Sequence, residues 1–470
     1  MRLDRRAFLK LMGVGIGSVA LEGYGLAQAN PERFASLLPI PTRRLEPGLL
    51  EANLTARVGA TRIGGRAARL LTYGGSLLRV RAGDTLRLHF ENRLVQPTNL
   101  HWHGLHASPA LDDPLRVVAP GERVTVEYPV PKNASGLHWI HPHHHGVVAE
   151  QQFAGLAAAV VIDSDGDEVW ADAEEHVLLL RDLTLVGDLP APHTTMDWMN
   201  GKEGDLLLVN GAVKPTLRAR KPWLRLRVVN AANARFYRLQ LENHPLYLVG
   251  TDGGFLERPV ELDELLLAPG ERADLLVRLE RPGTYRLLNL PYARGTMMMG
   301  GGMMNMGDAE ASSGATQTLM VLDVPRLPKP EALPTRLATL DSLEVRTPSV
   351  RRTITMTERM MGAQFFLNGR AFDERRVDLS ARRGALEVWE LVNRSDMDHP
   401  FHLHTYPFQV LTRNERAAPF RAWRDVVNLR KNDVVRIAVP LESFLGKTVY
   451  HCHVLEHEDR GMMGVLEVRD

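Results

Sequence analysis

Cysteine is all but absent from this chain: 470 residues contain one, Cys452. A single thiol excludes an intramolecular disulfide, even in an oxidising compartment. Charge of one sign is also lacking. The net charge is +1 and no basic block stands out, so nucleic acid is not an expected partner. Lysine is scarce beside arginine, which fits a GC-rich genome or a thermophilic habit without separating the two. Long apolar runs are missing too. The run Leu11 to Ala20 is too short to cross a bilayer, so no stable membrane span is expected. It follows Asp4-Arg5-Arg6-Ala7-Phe8-Leu9-Lys10 and precedes Ala27-Gln28-Ala29, and residues 1–29 therefore read as a twin-arginine signal peptide. Export to the periplasm or beyond is expected, where a lone cysteine is a liability unless it serves as a metal donor.

What is present centres on that cysteine. It lies in His451-Cys452-His453-Val454-Leu455-Glu456-His457, with Met462 a little further on. Thiolate, imidazoles and a weak thioether are the donor set of a blue, type-1 copper. On a strand, residues i and i+2 face one way and i+1 the other. Cys452 thus reaches one metal while His451 and His453 reach a different site on the opposite face. The backbone becomes a short covalent path between two redox centres, which points to electron transfer.

Three further clusters supply donors: His101-Trp102-His103-Gly104, His141-Pro142-His143 and His399-Pro400-Phe401-His402-Leu403-His404. Each holds a His-x-His pair that an extended backbone presents to one side. One such pair is ordinarily a surface or core feature; four of them, one flanking the only cysteine, are not. The pairs give eight imidazoles for a cluster of several metals, leaving His399, Cys452, His457 and Met462 for the type-1 site. His106, His138, His144 and His145 lie among the clusters without a donor role. His89, His176, His193 and His244 lie outside them.

With these motifs the sequence resembles the multicopper oxidases, the family of laccases, ferroxidases and bacterial copper-efflux oxidases. All four family motifs occur in the family order. The resemblance implies four copper ions: the type-1 ion, a type-2 ion on His101 and His402, and a type-3 pair on His103, His141, His143, His404, His451 and His453. Together they store the four electrons that reduce dioxygen to water. The substrate would release its electrons near the surface through His457 or His399, and Cys452 would carry electron transfer onward. Met462 as a neutral axial donor implies a moderate to high potential. Protons are needed as well. Asp112 matches the family's acid on the route to the cluster, with Asp113 as its alternative, and Glu458 matches a second acid of proton delivery. The ordinary reading of each is a solvated loop carboxylate.

Internal repetition sets the architecture. Val80-Arg81-Ala82-Gly83-Asp84-Thr85-Leu86 runs on to Asn92, Ala219-Arg220-Lys221-Pro222-Trp223-Leu224 to Asn230, and Ala381-Arg382-Arg383-Gly384-Ala385-Leu386 to Asn393. A second repeated element reads Ala119-Pro120-Gly121-Glu122, Ala268-Pro269-Gly270-Glu271 and, more loosely, Arg430-Lys431-Asn432-Asp433. Short alternating strands between Gly, Pro and Asn turns indicate β-sandwiches. The fold expected is all-β, with three Greek-key sandwiches that the resemblance identifies as cupredoxin-like. Their limits are placed at 30–165, 166–330 (with a Met-rich loop at 295–307) and 331–470. The middle copy reads Ala231-Ala232-Asn233-Ala234 where the outer copies have histidines, and is expected to be a spacer. A two-domain nitrite reductase would have no use for eight paired histidines.

Six of the seventeen methionines fall at Met297, Met298, Met299, Met303, Met304 and Met306, among glycines and without periodicity. Soft thioethers select Cu(I), and similar inserts occur in copper-efflux oxidases. Beside His399, Asp396-Met397-Asp398 resembles the acid–methionine substrate site of those enzymes, so Asp396 and Met397 are substrate-binding candidates. A flexible apolar lid is the plainer alternative for the loop. The expected function is an exported, monomeric multicopper oxidase that couples oxidation of Cu(I), or Fe(II), to reduction of dioxygen. The alternatives are a laccase acting on phenols and aromatic amines and, from a different class, a copper-sequestering protein.

Overall fold

Alternating apolar residues along short strands leave each sheet with one face to bury, and pairs of sheets close on those faces. The computed structural model describes residues 32–170, 172–296, 314–343, 348–359 and 364–470. The signal-peptide reading of residues 1–29 and the methionines Met297–Met306 lie outside the described residues. Six main sheets pair into three sandwiches. In the first, Thr42–Glu46, Leu49–Ile63, Arg66–Thr72, Thr85–Asn92 and Arg123–Pro129 face Leu77–Arg81, Ala158–Asp163, Gly136–His141 and His101–His103. The other two repeat this plan with seven-stranded and five-stranded sheets. Each sandwich has its own buried aliphatic and aromatic core. Full burial of one Leu or Val contributes about 1.5–3 kcal/mol, and dozens are buried here.

The repetition extends to strand direction. Leu49–Ile63 pairs in parallel with Thr85–Asn92, Glu174–Leu183 with Trp223–Asn230, and Val350–Arg359 with Ala385–Asn393. A second parallel pair recurs in each partner sheet: Leu77–Arg81 with Ala158–Asp163, Thr216–Arg218 with Gln317–Val324, and Leu379–Arg382 with Met463–Arg469. Parallel neighbours require crossover connections, which is why the chain passes between sheets in every sandwich.

The repeated asparagines explain how these strands end. Asn92, Asn230 and Asn393 are fully buried. Their amides donate to Gln96 O and Val118 O, to Arg235 O and Leu267 O, and to Met397 O and Leu429 O. Their carbonyls accept from the amide two residues on, at Leu94, Ala232 and Ser395. Each asparagine thus satisfies the backbone groups that a turning strand would leave bare. The second repeated element docks on the first: Gly121 N donates to Asn92 O, and Gly270 N to Asn230 O. These glycines have φ of 81° and 86°, and the third copy fills the same left-handed position with Asn432 at 64°, the other residue type that tolerates it.

The chain before Thr42 runs first along the middle sandwich, where Phe34 N donates to Thr216 O and Thr216 N to Glu32 O. The first and middle sandwiches share a buried cluster that includes Leu137, Trp139, Val161, Leu179 and Val229. The C-terminal helix Leu455–Glu458 is tied to the first sandwich through Asp459. Its carboxylate accepts from Gly146 N and Ala149 N at the start of the helix Val148–Phe153. Among the described residues, no helix is long and apolar enough to cross a membrane.

Candidate metal centres

Two strand pairs, one from each outer sandwich, present the histidines. His101–His103 is an edge strand paired antiparallel with Gly136–His141, setting His101 opposite His141. His399–Leu403 pairs with Gly446–Cys452, setting His402 opposite His451 and Phe401 opposite Cys452. The two strand pairs meet and bury all eight paired imidazoles between them. Their ring nitrogens gather in threes: His103, His141 and His453; His143, His404 and His451; and His101 and His402 with His103.

Within the groups the nitrogens stand 3.1–3.4 Å apart: His103 Nδ1 from His453 Nε2 and His141 Nε2, His451 Nε2 from His143 Nε2 and His404 Nε2, and His101 Nε2 from His402 Nε2. That spacing is the edge of a polyhedron with metal–nitrogen bonds of about 2 Å. The protons are turned outward. His141 Nδ1 donates to Pro142 O, His402 Nδ1 to Asp425 O, His451 Nδ1 to Cys452 O, and His101 Nδ1 to the Asp112 carboxylate. An acceptor on one ring nitrogen leaves the other with its lone pair free. Burial, reinforced by neighbouring imidazoles, holds His101, His143, His404 and His453 well below the usual histidine range, and brings His141 to about 3. Neutral rings with lone pairs converging on common points fit a metal cluster, and the donor set suits copper.

Cys452 serves a different group. Its Sγ lies 3.4 Å from His399 Nδ1 and 3.8 Å from His457 Nδ1, and those nitrogens are 3.2 Å apart. Burial pushes the thiol well up from its ordinary value, so a cation is what would stabilise the thiolate there. Met462 is fully buried in the same cluster, and its carbonyl accepts from Cys452 N at 3.0 Å. Phe365 stacks on the His457 ring at 4.0 Å. His399 and His457 are both fully buried. An electron entering through either would therefore cross the side chains that cover them, Phe365 in the case of His457.

The acids separate clearly. Asp112 is fully buried on His101, with Trp102 N donating to it, and burial raises it to about 7. Asp113 instead accepts from Leu115 N in its own loop. Glu458 is fully buried 3.1 Å from His451 Nδ1 and 3.5 Å from His143 Nε2, with neither oxygen hydrogen-bonded. Asp396 and Met397 do not converge. Asp396 is a surface group paired with Lys431, whereas Met397 is buried in the core of the third sandwich; both lie in the bend between the strands Ala385–Asn393 and His399–Leu403. The chain leading toward Met297 starts beside this loop: Asp398 N donates to Arg294 O at 2.7 Å, and a Cβ on Gly295 would stand 2.2 Å from the Asp396 carbonyl oxygen.

Several residues at the centres carried no sequence signal. Ser395 Oγ lies 2.7 Å from His399 Nε2, and Glu358 Oε2 lies 3.7 Å from the same nitrogen with no hydrogen-bond partner. Asp425 contacts His103 Nε2 at 3.1 Å and is gripped by Arg272. The middle sandwich is more than a spacer. Asn233, in its histidine-free loop, accepts from Leu455 N and donates to Glu456 and Ala149 O, holding the helix that carries His457. His193 makes a further contact with Glu456 at 2.8 Å.

Residues 62–167, 174–302 and 346–470 each match a family profile described as multicopper oxidase. The chain is 30% identical over 413 residues to a multicopper oxidase of Staphylococcus haemolyticus, covering 85% of this chain and 83% of that one. It is 28% identical over 498 residues to the cell division protein FtsP of Escherichia coli, covering 100% and 99%. A solved multicopper oxidase from Campylobacter jejuni, described as a metallo-oxidase, superposes with a TM-score of 0.83 at 31% identity, covering 94% of this chain and 96% of that one.

Proposed function

The chain belongs to the multicopper oxidases, and from that premise we propose that it oxidises Cu(I) at the expense of dioxygen. As a copper oxidoreductase it takes a reducing substrate and dioxygen. In balance, four cuprous ions, one dioxygen and four protons give four cupric ions and two waters. The observation that carries the reading is the run His451-Cys452-His453, three consecutive residues whose side chains enter three separate donor groups. Copper, when bound, supplies one-electron chemistry on the substrate side and a store of electrons on the dioxygen side. We assign His399, Cys452, His457 and Met462 to a type-1 ion, His101 and His402 to a type-2 ion, and His103, His141, His143, His404, His451 and His453 to a type-3 pair. Four ions follow.

The chain's own part is connection, proton supply and exclusion of water. Cys452 joins the two sides through single peptide links to His451 and His453. Asp112 on His101, and Glu458 between His143 and His451, are the groups to hold and pass protons. Full burial of all ten imidazoles keeps bulk water from the donors.

Three observations favour Cu(I) as substrate. Arg294 and Gly295, which precede Met297–Met306 in sequence, lie against the loop just before His399. Glu358, with its unpaired buried oxygen near His399, is followed in sequence by Met360 and Met361. The relative described as a metallo-oxidase shares the fold throughout. The complete donor set favours an oxidase over the role named for the cell division relative. Export from the Arg5-Arg6 signal, a monomeric state, and sandwich limits at 30–165, 166–330 and 331–470 belong to the same proposal.

Oxygen uptake by copper-loaded protein with Cu(I), Fe(II) and a phenol in parallel tests this, before and after deletion of residues 297–306. Deletion should raise the apparent KM for Cu(I) and spare the phenol, because only the cuprous ion uses thioether donors. Equal loss of both activities would make the segment structural. Unchanged Cu(I) turnover would move the laccase reading ahead, and more than four tightly held coppers with little oxygen uptake would favour sequestration.

A further inference from the structure

His103 differs from its neighbours in the way it faces its group. The rings of His141, His402, His451 and His101 turn Nδ1 outward to an acceptor and Nε2 inward. His103 is reversed: Nδ1 points inward, 3.2 Å from His453 Nε2 and 3.4 Å from His141 Nε2, and Nε2 points outward to Asp425 Oδ1 at 3.1 Å. The ring cannot turn over freely, because it stacks on His402 at 3.9 Å and 8°. Only the tautomer with its proton on Nε2 leaves a lone pair where the group needs one.

The outward acceptor is itself held by the middle sandwich. Arg272 is fully buried, and its Nη1 and Nη2 donate to Asp425 Oδ1 and Oδ2, each at 2.6 Å. The rest of the guanidinium is also engaged, with Nε donating to Leu137 O and Nη2 to Asp252 O. Arg272 N donates to Asp252 Oδ1. Residues of all three sandwiches are thereby joined at one side chain. Room for it exists because residue 104 is glycine: a Cβ there would stand 2.1 Å from Arg272 Nη2. A carboxylate held on both oxygens by a guanidinium fork only accepts. The proton shared between Asp425 and His103 then belongs to His103 Nε2.

Resting on the copper reading above, we propose that Arg272 is a positioning residue that sets the tautomer of His103 through Asp425, and so decides which nitrogen of His103 is offered to the metal. The middle sandwich, whose described residues contribute no donor to these groups, thereby specifies one. A carboxamide at 425 has an N–H to give, and Asp425→Asn lets that N–H donate to Nε2, driving the ring proton to Nδ1 and into the group formed by His103, His141 and His453. Lysine at 272 keeps the charge but not the planar fork, so it should hold Asp425 less firmly.

The test compares wild type, Asp425→Asn, Arg272→Met, Arg272→Lys and the surface control Arg123→Met. Copper per chain, the blue absorption, the near-ultraviolet type-3 band, EPR and Tm are read for each. Asp425→Asn should fold, since Arg272 keeps Asp252. It should keep the blue absorption, lose the type-3 band and copper, and show a new EPR signal from an ion without its coupled partner. Arg272→Met should do the same with a lower Tm, Arg272→Lys should lie between it and wild type, and the control should match wild type. If Arg272→Met does not fold, Asp425→Asn and Arg272→Lys decide. Wild-type copper content and spectra in Asp425→Asn would overturn the inference alone. A wild type without blue absorption or a type-3 band would overturn the copper reading and the inference with it.

Discussion

Residues 119–123 and 268–272 are the same pentapeptide, Ala-Pro-Gly-Glu-Arg. Locally they are also the same structure. In each the glutamate accepts from the alanine N–H at 2.8 Å, and the glycine adopts positive φ while donating to the preceding repeat's asparagine. Their surroundings differ completely. The first turn is exposed, a Cβ on Gly121 would meet nothing within 4 Å, and Arg123 pairs with Glu91 at the surface. The second is buried among three sandwiches, where a Cβ on Gly270 would stand 2.9 Å from the His453 ring and Arg272 grips Asp425. Five residues suffice to specify a turn. What the turn does depends on what docks against it.

The upper bound of that comparison is loss of a donor itself. Cys452→Ser should remove the blue absorption and abolish oxidation of every substrate, while the His451 and His453 groups stay loaded. Absorption spectra with oxygen uptake would check this, and turnover retained with an outer-sphere reductant would remove Cys452 from the electron path. Next in size is the paired change Gly270→Ala and Gly121→Ala. Both carry the positive-φ cost of about 1–2 kcal/mol, visible as similar shifts in denaturant midpoint. Only Gly270→Ala should also lower copper content, because only there does the new methyl meet a histidine donor. Equal copper content in the two would break the contrast.

A comparable pair of acids sharpens it. Asp112 and Asp425 each face a histidine of the cluster, but Asp112 is held by a backbone N–H and Asp425 by a guanidinium. Asp112→Asn should slow reoxidation by dioxygen and leave anaerobic reduction by substrate unchanged, as stopped-flow traces of the two half-reactions would show. If reduction slows instead, Asp112 is not the proton donor. Smaller still are the strand-ending asparagines. Asn230→Ala should destabilise by about 1–3 kcal/mol through unsatisfied backbone groups, without spectral change. Asn393→Ala should destabilise similarly and also weaken the blue absorption, since Asn393 holds Ser395 and the loop before His399. The smallest effect is expected of Arg123→Met, with Tm unchanged beyond error, as surface pairs contribute little.

The grouping of the histidines was legible in the sequence because its signal is local: His-x-His on a strand turns both rings one way, and the intervening Cys452 turns the other. The three sandwiches were legible because the strand, asparagine and turn recur. Asp425 and Arg272 were not, since they are 153 residues apart and the motif carrying Arg272 has a surface twin. Asp396 and Met397 were read as one site from their chemistry, yet the bend between two strands turns one to the surface and the other into the core. Burial of His399 and His457 depends on Phe365 and on the helix Thr195–Asn200, whose Met199 packs in the core around Cys452. No spacing rule announces such contacts between distant segments.

His103 and His453 face each other across 350 residues of sequence. During synthesis, a chain still short of residues 451–470 has made most of its histidines, yet two of the three histidine groups and the Cys452 group each still lack a member. Each triad at the interface draws on both the first and the last sandwich, so assembly waits for the final strand and helix to dock. His103, His141, His143 and His404 thus wait for His451 and His453 before their groups close. Contacts of such long range close slowly, and the groups that need His451, Cys452 or His453 are completed only once nearly the whole polypeptide has been made.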